Sequence, residues 1–153
     1  MVATRPYSDI IERLRAAGLR PTRQRLALGR LLFDGADRHV TAEELHTAVT
    51  AKTVTGKTVT GKAGVSLATV YNTLHQFTRA GLLREVALGP GRSFFDTNIS
   101  DHHHIFYEDD GRLEDIPAGA IEIARRPAAP AGCTVTRVDV VMRVSASKKS
   151  RDS

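Results

Sequence analysis

Three consecutive histidines, His102, His103 and His104, stand between Asp101 and the apolar run Ile105-Phe106-Tyr107. Imidazole and carboxylate donors suit Fe(II), Mn(II) or Zn(II), with geometry deciding among them. The apolar run predicts a strand. Successive side chains on a strand point to opposite faces, so His102 and His104 share one face and His103 takes the other. Three uses fit this pattern. One is axial ligation of a haem by a member of the set His102, His103, His104. Another is a divalent-metal site, and the third is a hydrogen-bonded polar strand end. His39, Asp96 and Glu122 are further donors of the same kind, but nothing in their local sequence brings them together.

A second chemistry lies in Val65 to Leu83, VSLATVYNTLHQFTRAGLL. Ser66 is a good N-cap, its hydroxyl able to accept from an orphan backbone N–H. Leu67, Val70, Leu74 and Phe77 recur at helical spacing and predict one buried stripe. Gly81 follows Ala80, where a helix end takes a residue tolerant of positive φ. The remaining positions, Ala68, Thr69, Tyr71, Asn72 and His75, are small or hydrogen-bonding and contain no acid. Such a front suits a DNA major groove, where a carboxylate would meet phosphate repulsion. Asn72 is placed to pair with adenine or to touch phosphate. The Tyr71 ring can pack on a thymine methyl with its hydroxyl at a phosphate. Ser66 and Thr69 are better phosphate donors or caps than base readers.

The elements that must carry these groups are legible on either side. Ser8 caps a first helix running to Ala17, and Gly18 ends it. Thr22 caps a second helix with Leu28, Leu31 and Leu32 inward and arginines outward. Thr41-Ala42-Glu43-Glu44 reads as a capping box that starts a third helix on Leu45, Ala48 and Val49. An immediate repeat, TVTGK at 53–57 and again at 58–62, reads as a basic loop expanded by duplication. After the organising helix, Leu83 to Leu88 predicts a strand, Gly89-Pro90-Gly91-Arg92 a turn, and Ser93 to Phe95 the return strand. Helices followed by a hairpin with Arg92 at its tip make a winged helix–turn–helix, in which the wing meets phosphate or minor groove. Arg20 is placed for a minor groove narrowed in AT-rich DNA.

Beyond Asp96 the character changes. Asp110-Gly111 is a hairpin signal, Leu113 to Ile116 a partner strand, and Ala118 to Arg125 a short helix. From Thr136, alternation of Val138, Val140, Met142 and Val144 predicts a last strand. The fold class expected is therefore α+β. A winged-helix DNA-binding domain occupies 1–96 and a small α/β dimerisation and regulatory domain 97–144. A disordered tail is expected at 145–153. The second part is too small to bury a good core alone, which is why it is expected to pair with a copy of itself.

The whole chain has 153 residues and a formal charge of +5, favouring a polyanionic partner. Its single cysteine, Cys133, excludes an internal disulfide and a structural zinc site built on four cysteines. No run is apolar enough to span a bilayer, and the first residues do not read as a signal peptide. A cytoplasmic setting is expected, with no membrane partner.

Four motifs resemble the ferric uptake regulator family of bacterial transcription factors, in the family's order. They are Gly18-Leu19-Arg20-Pro21-Thr22-Arg23-Gln24-Arg25, His39-Val40-Thr41-Ala42-Glu43-Glu44-Leu45, Leu67-Ala68-Thr69-Val70-Tyr71-Asn72-Thr73-Leu74 and Gly91-Arg92-Ser93-Phe94-Phe95-Asp96. Within the family the chain is most similar to the haem-responsive iron response regulator branch, through its recognition helix, His102-His103-His104 and Val138 to Arg143.

The resemblance implies a homodimeric regulator of iron and haem genes on an AT-rich palindromic operator, with haem, Fe(II) or Mn(II) as effector. It implies DNA contacts from Arg20, Ser66, Thr69, Tyr71, Asn72 and Arg92. It implies a regulatory metal site at a hinge between domains, made by His39, Asp96 and a histidine near His103. His102 and Glu122 match a second, reduced site of the family. Changing the hinge would change the spacing of two DNA-reading heads. A divalent-metal or peroxide sensor of the same family is the nearer alternative. A small metal-dependent hydrolase is the remote one, because no general base, nucleophile or substrate cleft can be named.

Overall fold

The computed structural model describes residues 8–51 and 64–147. The repeat at 53–62 lies outside them, as do residues 148–153 of the expected tail. Two compact units divide between Ile99 and Ser100.

The first unit opens with four helices interrupted by one short strand. These are α1 (Ser8–Ala16), α2 (Arg23–Phe33), β1 (His39–Val40), α3 (Ala42–Thr50) and α4 (Leu67–Arg79). The hairpin β2 (Arg84–Gly89) and β3 (Arg92–Asp96) follows. Local chemistry sets the boundaries. Thr22 accepts from the Arg25 N–H at 3.3 Å and Ser66 from the Thr69 N–H at 3.1 Å. Thr41 and Glu44 make the reciprocal capping box. At the end of α4, Gly81 adopts φ 80°, so that the Gly81 and Leu82 amides close back on the Thr78 and Phe77 carbonyls.

The core is aliphatic with two phenylalanines. Leu14, Leu28, Leu32, Val40, Leu45, Val49, Val70, Leu74, Phe77 and Phe95 are buried together. The stripe of α4 departs from the expected one at two positions. Leu67, in the first turn, is 37% exposed, while Thr73 is buried with its hydroxyl on the Thr69 carbonyl at 2.9 Å. That local bond satisfies the hydroxyl and lets a polar residue sit inside.

The first sheet has the order β1-β3-β2, all antiparallel. β1 is two residues long, too short to leave a periodic signal. It sets His39 opposite Asp96 and Val40 opposite Phe95.

The second unit holds β4 (His102–Tyr107), β5 (Leu113–Pro117), a 3-10 turn (Ala118–Ala120) and β6 (Val141–Val144). Its sheet has the order β5-β4-β6, with β6 parallel to β4. The helix expected from Ala118 to Arg125 is reduced to that single turn. Gly119 sits inside it and no side chain caps it, so little favours propagation. The last strand begins at Val141 rather than near Thr136. Before it, residues 122–139 are exposed except Ala129. Among the described residues, the buried apolar side chains of this unit are Phe106, Leu113 and Ile116. No helix of the described residues is long and apolar enough to cross a membrane.

Candidate functional site

In the first unit, the antiparallel pairing of β1 and β3 brings an imidazole to a carboxylate. His39 Nε2 lies 3.1 Å from Asp96 Oδ2, and Asp96 is 1% exposed. The other oxygen, Oδ1, accepts the Asn98 N–H at 2.9 Å. The buried carboxylate is thereby aimed, with one oxygen held by backbone and the other facing an imidazole.

In the second unit, the β4–β5 register places Asp115 directly across from His104. His102, two residues back on β4, shares that face. Both Nε2 atoms approach Asp115 Oδ1, at 3.2 Å from His102 and 3.4 Å from His104. Both histidines are buried, and their rings meet edge to face with centroids 4.6 Å apart.

The tautomer of His102 follows from its other nitrogen. Nδ1 is 2.6 Å from the Ser100 carbonyl oxygen, which only accepts, so Nδ1 carries the hydrogen. In a neutral ring Nε2 then presents a lone pair to an anionic oxygen. Two acceptors at hydrogen-bond distance need a cation between them, either an added proton or a metal ion. An imidazole with its distal N–H on a backbone carbonyl is the usual arrangement of a metal-bound histidine. The donor atoms of His102, His104 and Asp115 all lie within 4.8 Å of one another. Imidazole nitrogen and carboxylate oxygen at this spacing fit a divalent first-row ion.

Two residues expected among the ligands stand elsewhere. His103 faces away from His102 and His104, as strand alternation requires, and its Nδ1 accepts the Val140 N–H at 3.1 Å. That nitrogen is committed to holding the approach to β6 beside β4. Glu122 is exposed beyond the 3-10 turn and is not among these donors. The sequence reading missed Asp115. It sits in Leu-Glu-Asp-Ile-Pro beside another acid, and only the register with His104 singles it out.

The front of α4 forms the other candidate surface. Arg20, Thr22, Arg25, Thr69, Asn72 and Gln76 line one hollow between the start of α2 and α4. This joins three of the expected DNA-contacting residues, Arg20, Thr69 and Asn72. Arg25 was not singled out from sequence, yet it organises the hollow. Its Nη1 donates to the Arg20 carbonyl and its Nη2 to Gln76 Oε1, each at 3.0 Å. One guanidinium thus ties the α1–α2 turn to α4 in a fork that lysine lacks.

Ser66 and Thr69 spend their side chains locally, with hydroxyls 2.9 Å apart and Ser66 capping the helix. Arg92 is exposed at the start of β3, where Gly91 with φ 70° turns the hairpin. Tyr71 is half-buried and donates its hydroxyl hydrogen to Glu43 Oε1 at 2.7 Å. The Glu43 carboxylate holds the phenol pKa above its ordinary value, chiefly through this bond. The hydroxyl expected to meet a phosphate is therefore already engaged by an acid of α3.

Comparison with known proteins bears on the whole arrangement. The family model described as the ferric uptake regulator family matches residues 16–143. The peroxide-responsive repressor PerR of Staphylococcus epidermidis is 36% identical over 107 residues, covering 70% of this chain and 65% of that protein. The Staphylococcus aureus (strain Mu50) repressor is 35% identical over 107 residues, with 70% of this chain and 66% of that protein matched. The chain thus spans just under two thirds of the length of these relatives. Among solved structures, a ferric uptake regulator from Pseudomonas aeruginosa with manganese has a TM-score of 0.64 at 27% identity. The match covers 90% of this chain and 97% of that one.

Proposed function

We propose, from the premise that this chain belongs to the ferric uptake regulator family, that it is a transcription regulator whose hold on DNA follows a divalent metal ion. The family is one of regulators, not enzymes, so the hydrolase alternative falls away. The observation that carries the reading is the pairing of imidazoles with carboxylates, His39 with the buried Asp96 and the buried His102 and His104 with Asp115. Between His102 and Asp115, a bound ion would replace the proton that the acceptor pair otherwise requires. Metal-dependent DNA binding then needs only that the ion favour one arrangement of the protein over another.

DNA reading belongs to the front of α4 and the hollow beside it, with Arg20, Asn72 and Tyr71 nearest the bases and Arg92 on the wing. Thr69 and Ser66 support the helix start. The protein acts as a homodimer on a palindromic operator, in the cytoplasm. The exposed Ile123, Val135, Val138 and Met142 of the second unit support self-association.

The test is fluorescence anisotropy on an AT-rich palindromic duplex, titrated without oxygen with Mn(II) and separately with haemin. Binding that requires Mn(II) and ignores haemin is the expected outcome. Binding by the metal-free protein that haemin reverses would overturn it in favour of the haem-responsive reading. Three points support the ion over haem. His102 and His104 are buried, both face a carboxylate oxygen, and His103 is turned to the other side of the sheet.

A second reading is a peroxide-responsive repressor, favoured by the names of the relatives. Its signature would be one added oxygen on His39, His102 or His104 after peroxide treatment of iron-loaded protein, read by peptide mass mapping. Manganese-loaded protein is the control.

A further inference from the structure

Acids from other elements reach the front of the DNA-reading helix although the sequence of α4 carries none there, Glu85 at 4.0 Å from His75 and Glu43 in a hydrogen bond to Tyr71. Glu43 lies in the first turn of α3 beside Glu44. Glu44 is spent on the cap, its carboxylate accepting the Thr41 N–H at 2.8 Å. Ala42, Leu45 and Val49 form the buried side of α3, so Glu43 is turned outward. From there it reaches Tyr71, 28 positions along the chain, and accepts its hydroxyl hydrogen at 2.7 Å.

A loose carboxylate at this place would repel DNA phosphate, which gives the contact a cost that needs a use. Its use is orientation. Tyrosine has two side-chain torsions and little else to order. Tyr71 is partly buried against the core, with the His75 ring 6.3 Å away. A hydrogen bond at the far end of the ring fixes where the ring axis points, and because a phenolic hydrogen prefers the ring plane, it also biases which way the faces turn. The one apolar feature a major groove offers is the thymine C5-methyl, and a ring face held at a set angle can discriminate it.

We propose that Glu43 is a positioning residue for sequence reading. By holding the Tyr71 hydroxyl it aims the ring at a thymine methyl and keeps the hydroxyl off the phosphates. The inference rests on the DNA-reading function proposed above and assigns the orientation of its aromatic reader to a residue of a different helix.

The test compares thymine with uracil, which differ by that methyl alone. Mn(II)-loaded wild-type protein selects a duplex from a random-sequence pool, and the duplex is remade with uracil in place of each thymine in turn. Losing one buried methyl group costs about fourfold in affinity. Wild type should lose about fourfold at one thymine of each half-site. Glu43→Gln, whose amide oxygen still accepts the hydroxyl, should keep the discrimination. Glu43→Ala should bring the thymine-to-uracil ratio near one while retaining the far-UV spectrum and the Mn(II) requirement. Tyr71→Phe breaks the same bond from the other side, so it should match Glu43→Ala, and it carries the test if Glu43→Ala does not fold.

Thymine discrimination unchanged in Glu43→Ala, or absent from wild type at every position, overturns the role of Glu43 and leaves DNA reading intact. A wild-type protein that selects no duplex overturns both.

Discussion

His39 Nε2 stands 3.1 Å from Asp96 Oδ2, straight across the antiparallel pairing of a two-residue strand with the last strand of the hairpin. The pairing is extended by Thr97, whose N–H donates to the Arg38 carbonyl at 3.1 Å and whose hydroxyl accepts the Arg38 N–H at 2.9 Å. These bonds hold a strand too short to persist alone. The histidine is thus fixed against a buried acid by backbone geometry.

Removing the imidazole takes a close partner from Asp96 Oδ2, while Oδ1 keeps its bond to the Asn98 N–H. His39→Ala should destabilise the metal-free protein by about 1–3 kcal/mol, the cost of losing a hydrogen bond to a buried charged group. It should also weaken Mn(II) binding by about a hundredfold or more, since loss even of an outer-shell partner costs about 10–100-fold. Thermal melts with and without Mn(II), together with calorimetric titration, read both effects. A melting temperature and metal affinity equal to wild type would remove His39 from the ligands.

Asp115 makes the same case in the second unit, where one oxygen serves two histidines. At a Mn(II) concentration about a hundred times the dissociation constant, wild type should gain about 2.7 kcal/mol from ligand binding to the folded state. Asp115→Asn should lose most of that gain, because an amide brings no negative charge to balance the ion. Glu122→Gln, at an exposed position, should keep it. The reverse ranking would restore Glu122 to the site and dismiss Asp115.

How far the chain could be read without coordinates depended on whether a feature was local. The caps at Thr22, Thr41 and Ser66, and the glycine that ends α4, are signals within a few residues, and α2, α3 and α4 begin, and α4 ends, at them. The separation of His103 from His102 and His104 follows from strand alternation alone, while the family likeness pointed to a histidine near His103. β1 left no trace because two residues have no period. Asp115, Arg25 and Glu43 escaped because each acts through a partner distant in sequence, supplied by strand register or helix packing. The helix sought at Ala118 to Arg125 failed at Gly119, where backbone freedom outweighs a short run of helix formers.

The Tyr71 phenol offers a check on the α3–α4 contact that needs no DNA. Its pKa is held above the ordinary value by the bond to Glu43. The sign follows directly: the protonated phenol is the donor, so the contact's contribution is complete below about pH 10 and disappears as pH rises through the raised folded-state value. Ultraviolet titration of phenolate, taken as wild type minus Tyr71→Phe, isolates this residue from Tyr107, which Glu114 raises in the same direction. In Glu43→Ala the Tyr71 transition should move down toward about 10, the ordinary phenol value. No movement would mean the hydrogen bond is not formed in solution.

Arg25 spends its guanidinium on the Arg20 carbonyl and on Gln76 within the hollow beside α4. Arg25→Ala should free the turn that carries Arg20 and weaken DNA binding about tenfold, as befits the loss of hydrogen bonds from a charged group. Arg25→Lys should not rescue it, for an ammonium cannot span both acceptors. The salt dependence separates positioning from contact. A lost phosphate contact lowers the slope of log affinity against log salt by about 0.9, whereas a positioning role leaves it near the wild-type value. In an Arg20→Ala background the further change at Arg25 should cost little, since its effect runs through Arg20.

The second unit has too little of its own to bury. Phe106, Leu113 and Ile116 are its buried apolar residues among those described, while Val135 and Val138 and Met142 of β6 are each more than a third exposed. A sheet of three short strands with so small a core would gain stability if another copy covered that surface. A charge placed on it should oppose the pairing while leaving the first unit's helices and caps untouched. Met142→Glu and Val138→Asp should therefore shift sedimentation from dimer toward monomer at micromolar concentration, with helical circular dichroism retained. DNA binding should fall more steeply on a palindromic duplex than on a single half-site, because only the palindrome rewards two linked heads. A double variant that sediments as a dimer would place the self-association surface elsewhere in the chain.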